Sequence, residues 1–264
     1  MTKSSTILVE LADGVLRLTL NRPEKLNSFN DEMLIALRAG IQRAHDEDGV
    51  RAVLITGAGR AFCAGQDLGD RNPSPDAPAP DLGYTIETFY NPTLRLIRAL
   101  EKPVIAAVNG VAAGAGANIA LACDIVIAAR SAKFIQAFAK IGLIPDCGGS
   151  WSLARILGEP RAKALALTAE PLPAEKAADW GLIWKAVDDA QLQTEAQALA
   201  ESMAIGPTLG LGLTKRLIQA SAVNSLDEQL NMERDLQREA GRSADYREGV
   251  AAFIGKRKPA FTGR

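Results

Sequence analysis

The chain has one histidine, three cysteines and few aromatics, 5% of 264 residues, and its charges almost cancel, 30 Lys plus Arg against 31 Asp plus Glu. Each shortage removes a class of function. A Ser-His-Asp or Cys-His nucleophile would have to run through His45 alone. His45 stands at the margin of a helical apolar stripe (Leu34, Leu37, Ile41, Ala44), where a half-exposed surface side chain is expected. Cys63, Cys123 and Cys147 form no Cys-x-x-Cys pair and have no histidine at ligand spacing, so no metal site and no disulfide framework are expected. A formal net charge of -1 leaves no electrostatic footprint for nucleic acid. No apolar run reaches the roughly 20 residues of a membrane span, and the first residues lack the basic-then-apolar order of a signal. The expectation is a cytoplasmic protein that binds neither nucleic acid nor membrane.

What is present is ordinary globular material, 47% hydrophobic and 23% charged, enough for one large domain or for one domain with a small appendage. Asp13-Gly14 between two apolar runs predicts a two-residue hairpin. Asn30 ahead of Asp31-Glu32 predicts a helix start. Runs at 52–56, 104–108 and 124–128 read as buried parallel strands joined through helical segments, which implies an α/β sheet. From Gly148 onward the signals are helical, over 151–157, 174–179, 190–203, 209–221 and 226–240, separated by Gly158, Pro160, Pro173, Gly181 and Gly206-Pro207. The expected division is an α/β core over 1–200 and a helical region over 201–264. Four prolines within 71–81 predict a surface loop. No internal repeat is visible.

Ligands of parallel sheets sit beyond the carboxyl ends of the strands, which directs attention to the small-residue turns at 57–68 and 109–118. Neither turn has the Gly-Lys-Ser/Thr ending of a P-loop, and 110–117 lacks the Gly-x-Gly-x-x-Gly order of a dinucleotide site. Two readings remain: close strand-to-helix packing, or a pair of backbone amides that form an oxyanion hole.

Three motifs make the sequence specific: Phe62-Cys63-Ala64-Gly65-Gln66-Asp67-Leu68, Lys102-Pro103-Val104-Ile105-Ala106-Ala107-Val108-Asn109-Gly110, and Ala122-Cys123-Asp124-Ile125-Val126-Ile127-Ala128. With Leu20-Asn21-Arg22-Pro23, Gly142-Leu143-Ile144-Pro145 and Arg247-Glu248-Gly249, the chain resembles the enoyl-CoA hydratase/isomerase (crotonase) family over nearly its whole length. The resemblance implies an α/β spiral of ββα units with a C-terminal helical region that drives trimerisation, as a homotrimer or a dimer of trimers. It implies an acyl-CoA thioester substrate, with CoA part of the substrate and no separate cofactor. The thioester oxygen would be held by the N–H groups of Gln66 and Ala115. CoA contacts would come from Lys25 and from Ala64, Gly65, Gln66, Asp67 and Leu68. Lys256, Arg257 and Lys258 either reach a neighbouring subunit or form a solvated charge run.

The resemblance also bears on the reaction. The two positions that carry glutamates in the family's hydratases fall on Asn118 and Phe138, which disfavours addition of water. Asp146 is the remaining carboxylate, read either as the catalytic base of the family register or as a helix N-cap. Phe138, Ile144 and Trp151 would supply an apolar wall around it or belong to the core. Asn118 would orient substrate or a water. A single base fits an isomerase that shuttles a proton next to the thioester, on an aromatic-ring or a linear acyl chain. The alternative from another class is a non-catalytic member that binds a CoA ester or a partner.

Overall fold

Over residues 52–135 the strands are dealt alternately to two sheets, and a helix closes each pair. The computed structural model describes residues 5–69 and 79–264. Strands β1 (Ile7–Ala12) and β2 (Val15–Leu20) form an antiparallel hairpin. Its turn residues Asp13 and Gly14 take φ of 50° and 77°, the positive values that a two-residue turn of this twist demands. Helix α1 (Asp31–Asp46) is capped by the Asn30 side chain, which accepts from Met33 N at 3.0 Å, and it buries Leu34, Leu37, Ile41 and Ala44. His45 lies on the exposed side of α1 against Asp46.

Three ββα units follow. The first is β3 (Ala52–Gly57), β4 (Ala61–Cys63) and a helical stretch of α2 (Leu82–Thr85), a π-helical turn (Ile86–Tyr90) and α3 (Asn91–Ala99). The second is β5 (Val104–Val108), β6 (Val111–Ala113) and α4 (Ala115–Ala122); the third is β7 (Ile125–Ala129), β8 (Lys133–Ile135) and α5 (Gly149–Thr168). Beyond them come β9 (Leu172–Pro173), α6 (Ala174–Asp179), β10 (Lys185–Val187) and α7 (Leu192–Ala204). Among the described residues one sheet has the order β1-β2-β3-β5-β7-β10 and the other β4-β6-β8-β9. Strands β3, β5 and β7 are parallel and, apart from Ile125, buried throughout, and so they read as continuous apolar runs without alternation. The spiral implied by the family resemblance is therefore present. It is repetitive in structure without a repeat in sequence. The three-residue strands β4, β6 and β8 are too short to carry a period.

The C-terminal helices are α8 (Thr208–Ala220), α9 (Leu226–Ala240) and α10 (Ala244–Ile254). Ser225 and Glu228 form a reciprocal capping box at the start of α9. Lys215 of α8 pairs with Asp124 at 2.9 Å and donates to Ile97 O at 2.8 Å, tying this region to the core. Burial pushes the Asp124 carboxyl up, against the opposing pull of Lys215. The final residues fold back on α10. Asp245 accepts from Thr262 N and Gly263 N, and Glu248 holds Arg257 and Ala260 N. Arg257 of the basic run is thus bound within its own chain, while Lys256 and Lys258 are exposed.

Helix α5 breaks at Gly158 (φ 75°, ψ 160°) ahead of Pro160, where the sequence places a boundary. Most of the proline-rich segment, 71–78, lies outside the described residues, and Asp81 at its end caps α2 by accepting from Tyr84 N. No helix among the described residues is long and apolar enough to cross a membrane.

Candidate active site

The two amides singled out in the sequence follow neighbouring strands of the smaller sheet, Gln66 after β4 and Ala115 after β6. Gln66 forms an isolated parallel bridge with Phe29: Phe29 N donates to Gly65 O at 2.7 Å and Asp67 N donates to Phe29 O at 2.8 Å. In a parallel pairing of this kind the flanking residues supply the hydrogen bonds, so the N–H of Gln66 itself points the other way. Across from it, the chain leaves β6, turns at Gly114 and enters α4. Gly114 takes φ 51° and ψ -126°, a conformation closed to L side chains, and as N-cap it leaves Ala115 N–H without an intrahelical acceptor. Neither the Gln66 nor the Ala115 N–H donates to a backbone or side-chain acceptor among the described residues. The close approach depends on Gly65 at φ 96°. A Cβ there would stand 2.9 Å from Ala113 O and 3.7 Å from Ala115 N. The arrangement offers two backbone donors and the positive end of a buried helix to a developing oxyanion.

Both turns open on a cavity of 770 Å³. Leu82, Ile86 and Tyr90 form one wall; Phe138, Leu143 and Ile144 form another; Asp146 lines it beside Gly114 and Ala115. Asp146 does not cap α5: the N-cap is Gly148, with no side-chain cap bond. The Asp146 backbone carbonyl instead accepts from Gly149 N at 2.8 Å and from Asn118 Nδ2 at 2.9 Å. Cys147 follows at φ 49° and is buried. Burial, then the neighbouring Asp146 charge, pushes its thiol up, and burial pushes Cys63 up to about 12. Burial disfavours the thiolate form of both.

Three expectations need correction. Trp151 is not among the residues lining the cavity; it is half exposed, with Arg98 and Arg155 over its ring, 4.8 Å and 4.3 Å from the centroid. Asn118 is 1% exposed and does not line the cavity, because its amide is spent on Asp146 O and on Gln136 Nε2. Asp67 turns away from the cavity to Arg22 at 2.8 Å and Gly69 N at 3.0 Å. Burial acts to raise the Asp67 carboxyl, but the Arg22 and Gly69 hydrogen bonds and the charges of Arg22 and Lys25 outweigh it and hold the group below the usual carboxylate range. Of the remaining residues expected at CoA, Ala64, Gly65, Gln66 and Leu68 line the cavity and Lys25 is exposed on the 3-10 turn Pro23–Lys25. His45 is not among the lining residues. Tyr90 and Gln136 carry contacts here that sequence reasoning did not assign. Tyr90 stands in the run Phe89-Tyr90-Asn91-Pro92, but nothing local to that run points its ring inward.

Comparison with known proteins places these features in context. Residues 10–264 match the family model for enoyl-CoA hydratase/isomerase. The chain is 60% identical over 258 residues, 98% of each chain, to the 1,2-epoxyphenylacetyl-CoA isomerase of Escherichia coli K12. It is 35% identical, again over 98% of each, to the trans-2-decenoyl-[acyl-carrier-protein] isomerase of Streptococcus mutans. The crystal structure of an enoyl-CoA hydratase from Bacillus anthracis superposes with a TM-score of 0.92 at 32% identity, covering 98% of this chain and 100% of that one.

Proposed function

The chain belongs to the enoyl-CoA hydratase/isomerase family, and from that premise we propose that it is an acyl-CoA isomerase acting on ring-1,2-epoxyphenylacetyl-CoA to give oxepin-CoA. The observation that carries this reading is the make-up of the cavity: Asp146 is its single carboxylate among the described residues, and it faces a site that two unspent backbone amides also face. Asp146 takes a proton from the carbon next to the thioester carbonyl. The electron pair moves onto the thioester oxygen, where Gln66 N–H and Ala115 N–H stabilise the enolate. The carbon–carbon bond shared by the epoxide and the six-membered ring opens to give the seven-membered oxepin ring, and the same carboxyl returns the proton to a ring carbon further along the conjugated system, so atoms and charge balance without a cofactor. A 3,4-unsaturated dehydroadipyl-CoA would shift to its 2,3-isomer by the same proton transfers.

Two features favour isomerisation over addition of water. Phe138 occupies the wall where a second acid would stand, and Asn118 is buried behind Asp146. The relative with 60% identity carries an isomerase name of this kind. The reading extends to a homotrimer or dimer of trimers assembled through the C-terminal helices, where Leu226, Phe253 and Ile254 are exposed at 73%, 86% and 75%. Proton exchange decides the central point. With phenylacetyl-CoA in heavy water, the wild type should exchange the α protons and Asp146→Asn should not, while ester binding by calorimetry is retained. Undiminished exchange in the variant removes Asp146 as the base. Faster turnover of linear unsaturated thioesters than of the ring epoxide would move the substrate to the linear class.

A further inference from the structure

One helix governs both halves of the proposed chemistry. Ala115, the first residue of α4, presents the oxyanion amide, and Asn118, one turn on, holds the Asp146 backbone by a 2.9 Å hydrogen bond to its carbonyl. Gln136 Nε2 in turn donates to Asn118 Oδ1 at 2.8 Å. Gln136 directly follows β8, and Ile135 at the end of β8 accepts from Gly114 N at 2.8 Å. The start of α4 and the end of β8 thereby close a circuit, to which the loop that carries Asp146 is tied through Asn118. Asn118 and Gln136 are 1% and 3% exposed.

Two observations argue that this circuit is not merely packing. Gln136 Oε1 is buried with no hydrogen-bond partner among the described residues, a cost that a hydrocarbon of the same shape would avoid. The close approach also constrains a third position, since a Cβ on Gly149 would fall 2.2 Å from Asn118 Nδ2. Meanwhile the loop it grips has two consecutive residues at positive φ, Cys147 at 49° and Gly148 at 70°. Such a loop keeps its shape when its surroundings over-determine it.

We infer that Asn118 and Gln136 are positioning residues, a buried amide pair that fixes Asp146 relative to the Gln66 and Ala115 amides. The inference rests on the isomerase reading of Asp146. Neither side chain touches substrate. Asn118 acts by setting where the carboxyl stands, and Gln136 acts by fixing which way the Asn118 amide faces. A displacement of about 1 Å at a reacting group costs on the order of 100-fold in rate, which makes the effect measurable.

The test measures α-proton exchange of phenylacetyl-CoA in heavy water, with ester affinity by calorimetry and melting temperature, for Asn118→Ala, Gln136→Met, the double variant and Asp146→Asn. Asn118→Ala should lower exchange about 100-fold with affinity nearly unchanged. Gln136→Met trades one unpaired buried oxygen for another, so its melting temperature should stay within about 3 °C while exchange falls up to about tenfold. The double variant should exchange no more slowly than Asn118→Ala, because Gln136 works only through Asn118. Wild-type exchange in Asn118→Ala beside an inactive Asp146→Asn overturns the inference and leaves the base assignment standing. Wild-type exchange in Asp146→Asn removes the base and the inference with it. If Asn118→Ala does not fold, Gln136→Met decides alone: an unchanged rate with an unchanged melting temperature overturns the inference.

Discussion

The Tyr90 hydroxyl donates to Gln66 Oε1 over 2.6 Å, while Gln66 Nε2 donates to Phe29 O over 3.1 Å. The Gln66 side chain is therefore held at both ends of its amide, on the residue whose backbone N–H faces the cavity. The Tyr90 ring meets Phe29 edge-on, with centroids 6.0 Å apart and planes at 82°. Tyr90 ends a π-helical turn, and such turns shift the helical register by a residue, often beside functional sites.

Removing only the hydroxyl isolates this contact. Tyr90→Phe keeps the edge-on packing and loses a hydrogen bond worth about 0.5–1.5 kcal/mol, so turnover should fall by up to about tenfold with KM little changed. Steady-state kinetics check it. An unchanged kcat would show that Gln66 keeps its place without Tyr90.

The proposed role of Ala115 N–H as an oxyanion donor can be tested by a substitution that keeps the start of α4. Ala115 is the first helical residue, the position at which proline is tolerated because the N–H has no intrahelical acceptor. Ala115→Pro should reduce turnover by about 100- to 1000-fold, the usual loss for one oxyanion donor. Its circular dichroism should match the wild type. Full activity in a folded Ala115→Pro protein would place the oxyanion elsewhere.

The Arg22–Asp67 pair makes stability depend on acid in a stated direction. The folded-state carboxyl is held below its ordinary value of 3.8, so the contribution is fully present above that pH and is lost as the pH falls through the lower folded value. Both side chains are largely buried, 14% and 10% exposed, and Asp67→Asn should cost about 2 kcal/mol at pH 7. Urea denaturation at pH 7 and below pH 3.8 should show the gap between wild type and variant closing in acid. A gap that does not change with pH would mean the pair is not the source.

The end of the chain should loosen in the same direction. Glu248 bonds Arg257 and Ala260 N, and the Arg257 hydrogen bond, then that of Ala260, lowers its carboxyl from 4.5 to about 2. The hold is complete above pH 4.5 and lost as the pH falls through about 2. Hydrogen exchange over 256–264 should therefore be faster at pH 2 than at pH 5 after correction for intrinsic rates. Glu248→Gln should show the faster behaviour at both. Equal protection in variant and wild type at pH 5 would assign the fold-back to Asp245 alone.

Much of the fold was legible because its signals are local. Asp13-Gly14 dictates the hairpin, Asn30 caps α1, Gly158 and Pro160 break α5, and the buried apolar runs become β3, β5 and β7. The short strands β4, β6 and β8 were not legible, since three residues have no period and each exists only through its partner in the second sheet. The site divided along the same line. Gly65 and Gly114 could be found because the backbone conformations there demand glycine. Trp151 and Asn118 were misplaced because side-chain direction is set by partners far along the chain: Arg98 for Trp151, Asp146 for Asn118.

The amino-acid sequence by itself determined the chemical vocabulary. One histidine and three scattered cysteines exclude triads and metal sites, and the resemblance to the enoyl-CoA hydratase/isomerase family implies an acyl-CoA substrate with Asp146 as the remaining carboxylate. Tertiary structure alone decided the grammar: that Asp146 lines the cavity and is no helix cap, that Asn118 holds it from behind, and that Tyr90 reaches Gln66. The physical reason is range. Turns and caps are settled by neighbours within a few residues, whereas a cavity is bounded by groups that meet only after the sheets have formed and their helices have packed.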